Sequence, residues 1–302
     1  MTKIVECIPN FSEGRCEETI GKLTATAQSI PGVSLLDVNL DPSHNRTVLT
    51  LIGGLAGIKA AAIALAKCAR DNIDLTRQTG EHPRMGATDV IPFVPIKGVT
   101  MEECVAISKE VGRAIADELG IPVFLYEEAA SGSHKRNLAA IRKGQFEGMA
   151  KKMQSPRWKP DYGTTLHPTA GVVAVGARRP LIAFNANLST ADITIADKIA
   201  KKIRGSSGGL KYCKAIGIML KERNLAQVSM NLVDYEGTSI YAAVELIKIE
   251  ATRYGVHVVG TELIGLAPAK ALIDCAEYYL QIENFDYKRH VLDNHVYEQL
   301  NL

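Results

Sequence analysis

Pro180-Leu181-Ile182-Ala183-Phe184-Asn185-Ala186-Asn187 opens a strand pattern, and with it an order of elements that the chain has already run through once. Behind it, residues 191–203 carry helical spacing, with Ile195, Ile199 and Ile203 on one stripe. Residues 212–220 and 227–233 read as strands, 240–254 as a helix, 256–266 as a strand and 267–280 as a helix. Towards the N-terminus the same order precedes it. A strand at 3–9 is followed by a helix at 17–29, which Pro31-Gly32 ends. Strands at 33–38 and 46–52 flank the turn-forming group Asp41-Pro42-Ser43-His44-Asn45. An Ala-rich helix at 57–73 aligns Ile58, Ala62, Leu65, Ala69 and Ile73, and a strand follows at 90–95. A further helix at 100–119, a strand at 122–126, a broken helix at 137–152 and a Pro/Gly/Asp-rich connection at 156–171 complete this half.

Strand, helix, strand, strand, helix, strand thus occurs twice. The pattern predicts an α+β fold of two ferredoxin-like (βαββαβ) subdomains, residues 1–179 and 180–302, with antiparallel sheets and helices on one face. A groove between the two is the expected place for small substrates.

With 35 basic and 33 acidic side chains the formal charge is +2, so no global field draws the chain to nucleic acid or an acidic membrane. Any anion must be held by local groups. The N-terminus runs straight into a strand without a signal peptide, and no apolar run reaches membrane-spanning length, which reads as a cytoplasmic protein. The six cysteines are scattered without a CxxC pair and read as reduced, mostly buried hydrophobes. Histidines and cysteines never fall at zinc-ligand spacing with a second cluster, so no metal is expected.

Gly80-Glu81-His82-Pro83-Arg84-Met85-Gly86 is the most informative loop. Pro83 fixes its own φ and pushes His82 towards an extended backbone, while the flanking glycines suit a loop folded closely around something small. It reads either as an active-site loop or as a turn whose His and Arg cap a helix end. Arg204-Gly205-Ser206-Ser207-Gly208-Gly209 looks like a phosphate cradle but lacks the strand–loop–helix context of one, and a flexible loop is the better reading. Asp37, Asp41, His44 and Arg46 cluster around a turn, which capping by Asp41 and Asn45 explains unless the turn faces His82. Residues 161–171 form a polar, Gly-bounded stretch too long for a simple connector, hence a candidate binding loop. Tyr278 and Tyr279 read as packing residues.

Val5-Glu6-Cys7-Ile8-Pro9-Asn10-Phe11-Ser12-Glu13-Gly14, Asn45-Arg46-Thr47-Val48 and the His82 loop together resemble the glutamate formimidoyltransferases, or formiminotransferases. Gly176-Ala177-Arg178 with Leu181-Ile182-Ala183-Phe184-Asn185, and Asn224-Leu225-Ala226-Gln227-Val228-Ser229, extend the likeness into the second half. The resemblance implies transfer of a formimidoyl group from N-formimidoyl-L-glutamate to N5 of tetrahydrofolate, the folate being a co-substrate and no metal taking part. It places the catalytic histidine at His82. It places folate binding at Gly163, Thr164, Thr165, Leu166, His167, Pro168, Thr169, Ala170, Gly171 and Val172. Animal relatives carry an acid where this chain has Asn39, so Asp41 is the candidate to replace it; they also have Ala-Thr where this chain has Val172-Val173. Arg46, Arg84 and Arg178 are candidates for the substrate carboxylates, because guanidinium pairs bidentately with carboxylate.

In animals the activity is fused to a cyclodeaminase. This chain ends at Leu302, so that activity is expected on a separate protein, and the enzyme is expected to be a homodimer. A non-catalytic small-ligand sensor is the rival from another class, against which a titrating group before a proline argues. Formimidoylglycine or a formyl-folate as alternative donors remain open.

Overall fold

The computed structural model describes residues 3–42, 44–80 and 83–299. The chain divides into two compact units at Arg178/Arg179.

In the first unit an interrupted strand, β1 (Ile4–Cys7) and β2 (Asn10–Phe11), leads into helix α1 (Glu17–Ser29). Strands β3 (Val33–Asp41) and β4 (Arg46–Gly53), helix α2 (Leu55–Asn72) and strand β5 (Thr88–Lys97) follow. The β1/β2 strand lies between β4 and β5, antiparallel to both, and β3 forms the edge beyond β4. Alternation decides the faces: Val5, Cys7, Phe11, Leu49, Leu51 and Phe93 point into a core shared with Leu23, Ile58, Leu65 and Ala69 of α1 and α2. Helix α3 (Met101–Leu119) adds Ile107, Val111 and Ile115 to that core. Thr100 starts it with a capping box, its hydroxyl accepting from the Glu103 N–H while Glu103 accepts from the Thr100 N–H.

Beyond β5 the structure corrects two expectations. Strand β6 (Val123–Glu127) does not pair with β5; β7 (Val173–Ala177) lies between them and runs parallel to both. The sheet of this unit is therefore mixed, not antiparallel. Val173-Ala174-Val175-Gly176-Ala177 is buried on both faces and shows no alternation, so it carries none of the period-two pattern by which strands are read. Nor do all helices share a face. The broken helix resolves into α4 (Leu138–Arg142) and α5 (Gln145–Met153), split at Gly144 with φ 98°. Ile141 and Met149 from these helices cover Val90, Phe124, Tyr126 and Ala174 on the side of the sheet opposite α3.

The second unit is the simpler. Strand β8 (Ile182–Leu188), helix α6 (Ile193–Ile203), strands β9 (Cys213–Leu220) and β10 (Leu225–Leu232), helix α7 (Ile240–Thr252) and strand β11 (Val258–Ile264) give an antiparallel sheet ordered β11-β8-β10-β9. Ala196, Ile199 and Ile203 of α6 and Ala243, Val244 and Ile247 of α7 pack on Phe184, Leu188, Val228 and Met230. Helices α8 (Ala269–Leu280), α9 (Tyr287–His290) and α10 (Leu292–Gln299) close the chain. Among the described residues no helix is long and apolar enough to cross a membrane.

Candidate active site

The face of the first unit's sheet that α1 and α2 leave open is polar. Strand register puts Asp41 opposite Arg46, Asn39 opposite Val48, Asp37 opposite Thr50, and Asn10 beside Val48. Asn39 thus stands where the resemblance expects an acid, and Asp41 is already occupied. Its carboxylate accepts from the His44 backbone N–H at 2.9 Å and lies 2.6 Å from His44 Nδ1. Burial pushes the Asp41 carboxyl up, but the His44 N–H, its imidazole and the Arg46 charge outweigh it and the net shift is downward.

His82 and Glu81 lie outside the described residues, but both ends of their loop are described. At one end Gly80 abuts the preceding turn: a Cβ there would sit 2.4 Å from the His44 carbonyl oxygen. The Asn45 amide donates to Thr79 O at 2.9 Å and its oxygen accepts from Gly14 N–H at 2.8 Å, tying this end to the N-terminal motif. At the other end a Cβ on Gly86 would fall 1.9 Å from Val172 O. Both glycines serve close approach rather than a left-handed backbone. Ser12 Oγ donates to Gly86 O at 2.7 Å, and Val172 N–H donates to Met85 O at 3.0 Å.

The expected folate-binding residues therefore meet the His82 loop directly, and they divide into two parts. Ala170, Gly171 and Val172 are buried against Met85 and Ala87, with Ala87 N–H donating to Ala170 O at 2.9 Å. Gly163, Thr164, Thr165 and Pro168 are exposed, and Leu166, His167 and Thr169 are half-buried. His167 Nδ1 accepts from the Thr169 and Ala170 N–H groups, so the proton of the neutral ring sits on Nε2. Burial lowers its pKa, and Arg70 adds to that.

The three candidate arginines differ sharply in their partners. Arg84 forms a fork to Glu147 with NH2–Oε1 at 2.8 Å and NH1–Oε2 at 3.1 Å, and NH2 also donates to Gln78 O at 3.0 Å, while its Nε is buried without a hydrogen-bond partner among the described residues. Arg178 donates its N–H to Phe93 O, and its guanidinium acts on the Glu6 carboxyl and the Tyr126 hydroxyl. Burial raises both of those groups, and the Arg178 charge opposes it. Arg46 also has an Nε shut off from solvent with no hydrogen-bond partner, and among the described residues no carboxylate forks onto it as Glu147 does onto Arg84. Burial drives its pKa down, Asp41 opposes that, the like charge of Arg142 adds to it, and Asp89 opposes it.

Sequence reasoning missed Asp89 and Arg142. Asp89 is 1% exposed; its Oδ1 accepts from Met85 N–H at 2.8 Å and its Oδ2 from Arg142 Nε at 2.7 Å. The signal was there, because one carboxylate in the apolar run Val90-Ile91-Pro92-Phe93 needs a buried partner. The second unit's cationic loop closes on itself, Arg204 Nε donating to Ser207 Oγ at 2.8 Å. Tyr278 and Tyr279 are about half exposed rather than packed in a core, Tyr278 stacking on Tyr241 at 4.3 Å. Among the described residues no three His, Cys, Asp or Glu side chains converge to hold a metal.

The formiminotransferase domain, N-terminal subdomain, matches residues 4–178, and the formiminotransferase domain matches residues 183–296. The chain is 63% identical to the glutamate formimidoyltransferase of Streptococcus pyogenes serotype M1 over 98% of its own length and 99% of that protein. It is 46% identical to the glutamate formimidoyltransferase of Thermoplasma acidophilum, covering 94% of both. Against the formimidoyltransferase-cyclodeaminase of Sus scrofa it is 44% identical over 94% of its length but spans only 54% of that protein. Domain matches along both units, joined to the meeting of the His82 loop with the 163–172 stretch, place the chain in the formiminotransferase family.

Proposed function

We propose that this chain transfers the formimidoyl group of N-formimidoyl-L-glutamate to N5 of tetrahydrofolate, releasing L-glutamate in the degradation of histidine. The observation that carries the reading is the anchoring of the His82 loop on Gly171 and Val172, within a chain 63% identical to a glutamate formimidoyltransferase.

The chemistry follows from the group transferred. A formimidoyl group is amidine-like and largely cationic near neutral pH, so its carbon is already electrophilic and no oxyanion hole is needed. N5 attacks that carbon and forms a C–N bond, giving a tetrahedral centre with three nitrogens. His82 takes the proton that leaves N5 and delivers it to the glutamate nitrogen, whose bond to carbon then breaks. One imidazole serves as base and then acid, a contribution of roughly 10²–10⁴-fold. Holding two substrates in register supplies much of the rest.

Arg46 is the group that binds a donor carboxylate, because its guanidinium is half-buried with an unpartnered Nε and, unlike that of Arg84, has no carboxylate fork among the described residues. Arg84 braces its own loop, and Arg178 lies with Glu6 and Tyr126. The exposed Gly163-Thr164-Thr165 segment carries folate contact, with Ala170, Gly171 and Val172 as its footing. The reading makes the enzyme cytoplasmic and metal-free. Apolar side chains left exposed on the second unit, among them Ile249, Leu266, Leu280 and Leu292, support a homodimer.

Incubation with tetrahydrofolate and N-formimidoyl-L-glutamate, followed by acid conversion of product to the near-ultraviolet-absorbing methenyl form, tests the activity. His82→Ala should fold and bind folate while losing about two orders of magnitude in turnover or more. Turnover near wild type in a folded variant would remove the acid–base role.

A further inference from the structure

We propose that Asp89 on β5, Arg142 on α4 and Glu147 on α5 are positioning residues for the loop that carries His82. The proposal rests on the acid–base reading of His82 given above.

Two consecutive residues just past Pro83 are held by charged groups. The Arg84 guanidinium forks onto Glu147 at 2.8 and 3.1 Å and reaches Gln145 Oε1 at 3.3 Å. Its NH2 also donates to Gln78 O, six residues back, which closes a ring across the loop from residue 78 to residue 84. The Arg84 carbonyl accepts from Phe146 N–H at 2.9 Å. The next residue, Met85, donates its N–H to Asp89, and Asp89 is held in turn by the Arg142 fork. Between this clamp and His82 stands only Pro83, whose φ is fixed, so few soft torsions separate the two.

The choice of charged groups is telling. Side chains of Asp89 and Arg142 are 2% and 16% exposed, beside an apolar cluster of Met85, Val90, Ile141 and Val172. A hydrophobic pair would hold such a fold as well or better. What the ion pairs add is direction: hydrogen bonds of fixed angle that set where Arg84 and Met85 lie. Proton transfer is sensitive to that, since a misplacement of about 1 Å can cost about 100-fold in rate.

Glu147→Gln and Arg142→Lys test the proposal in the intact chain. The Glu147 side chain is 63% exposed, so its variant should fold whatever becomes of Arg142→Lys, and it decides alone if the latter does not fold. For each variant kcat, both KM values, the melting temperature and amide exchange at Met85 are measured, then kcat again in a His82→Ala background. We expect kcat to fall at least about fivefold with KM values held within about threefold, Met85 to exchange faster, and no added loss beside His82→Ala. A kcat loss under fivefold, or a loss that multiplies with that of His82→Ala, overturns the proposal. If His82→Ala alone keeps full turnover, the acid–base reading itself fails, and that result is seen before either clamp variant is made.

Discussion

Replacing Arg46 by methionine should weaken the enzyme without weakening the fold. Arg46 opens β4 opposite Asp41, and its Nε is buried without a partner. An unsatisfied buried polar group costs about 1–3 kcal/mol. Burial disfavours the charged guanidinium, and of the neighbours Asp41 and Asp89 relieve this while Arg142 worsens it. Methionine keeps most of the stem's packing and removes the buried charge. Stability should therefore be unchanged or rise by about 1 kcal/mol, roughly 2–4 °C in melting temperature for a unit of this size. The donor, in contrast, loses a charge-assisted pair worth about 1.5–3 kcal/mol, roughly 10- to 150-fold in kcat/KM. The pair is made equally in ground and transition states, so the loss should appear in KM for formimidoylglutamate with kcat nearly intact. Steady-state kinetics at saturating tetrahydrofolate and a melting curve on the same protein measure both. A melting temperature lowered by more than about 5 °C with an unchanged donor KM would mean that Arg46 is structural and the carboxylate is held elsewhere.

Arg84→Lys should show the opposite pattern, with melting temperature and turnover falling together. Its pair with the exposed Glu147 is worth little by itself, and the lost contact to Gln78 O accounts for about 1 kcal/mol; a higher donor KM at unchanged melting temperature would instead make Arg84 a substrate contact. The Asp41 carboxyl, held below its ordinary value of 3.8, contributes stability that is present above that pH and lost as pH falls through the lowered value. The melting temperatures of wild type and Asp41→Asn should therefore differ at neutral pH and draw together as pH falls from about 4 through the lowered value. Tetrahydrofolate should slow amide exchange across residues 163–169 and change 170–172 little, those being already held by Met85 and Ala87; slowing centred on residues 204–209 would move the pterin to the other unit.

Which parts of this could be read from sequence follows from how far each signal extends along the chain. Ile58, Leu65 and Ala69 on α2 are neighbours within one helix, and their spacing alone places them in the core. Strand β7 was not legible, because a strand buried on both faces has lost its alternation. That one omission made the sheet look antiparallel and left α4 and α5 without a sheet to cover. Gly80 and Gly86 stood out as loop glycines, yet their reason lies elsewhere: the His44 and Val172 carbonyls occupy the space a Cβ would take. Asp89 and Arg142 are 53 residues apart, and no local pattern joins them. Only the presence of a lone carboxylate in an apolar strand hinted that a partner existed.

On the proposed reading, the arrangement of charge around the loop accounts for the binding of an anionic donor by a protein with a formal charge of only +2. Long-range attraction contributes little at that net charge, and surface charges are screened within about 8 Å at physiological ionic strength. The arginines instead divide the work. Arg142 has Asp89 and Arg84 has Glu147, so each closes a local account of charge and fixes backbone. Arg46 feels Asp41 and Asp89 but also the like charge of Arg142; its Nε, like that of Arg84, is left without a hydrogen bond, and among the described residues no carboxylate forks onto it. The excess is positive, buried and beside the two loop ends that flank His82. A donor carboxylate placed there supplies the missing negative charge and the missing acceptor together. Its binding then relieves a cost the free protein already carries, and the strength of that relief depends on burial rather than on the field of the whole molecule. Such a site discriminates by position: a carboxylate that cannot reach Arg46 leaves the strain in place and gains nothing from the overall charge.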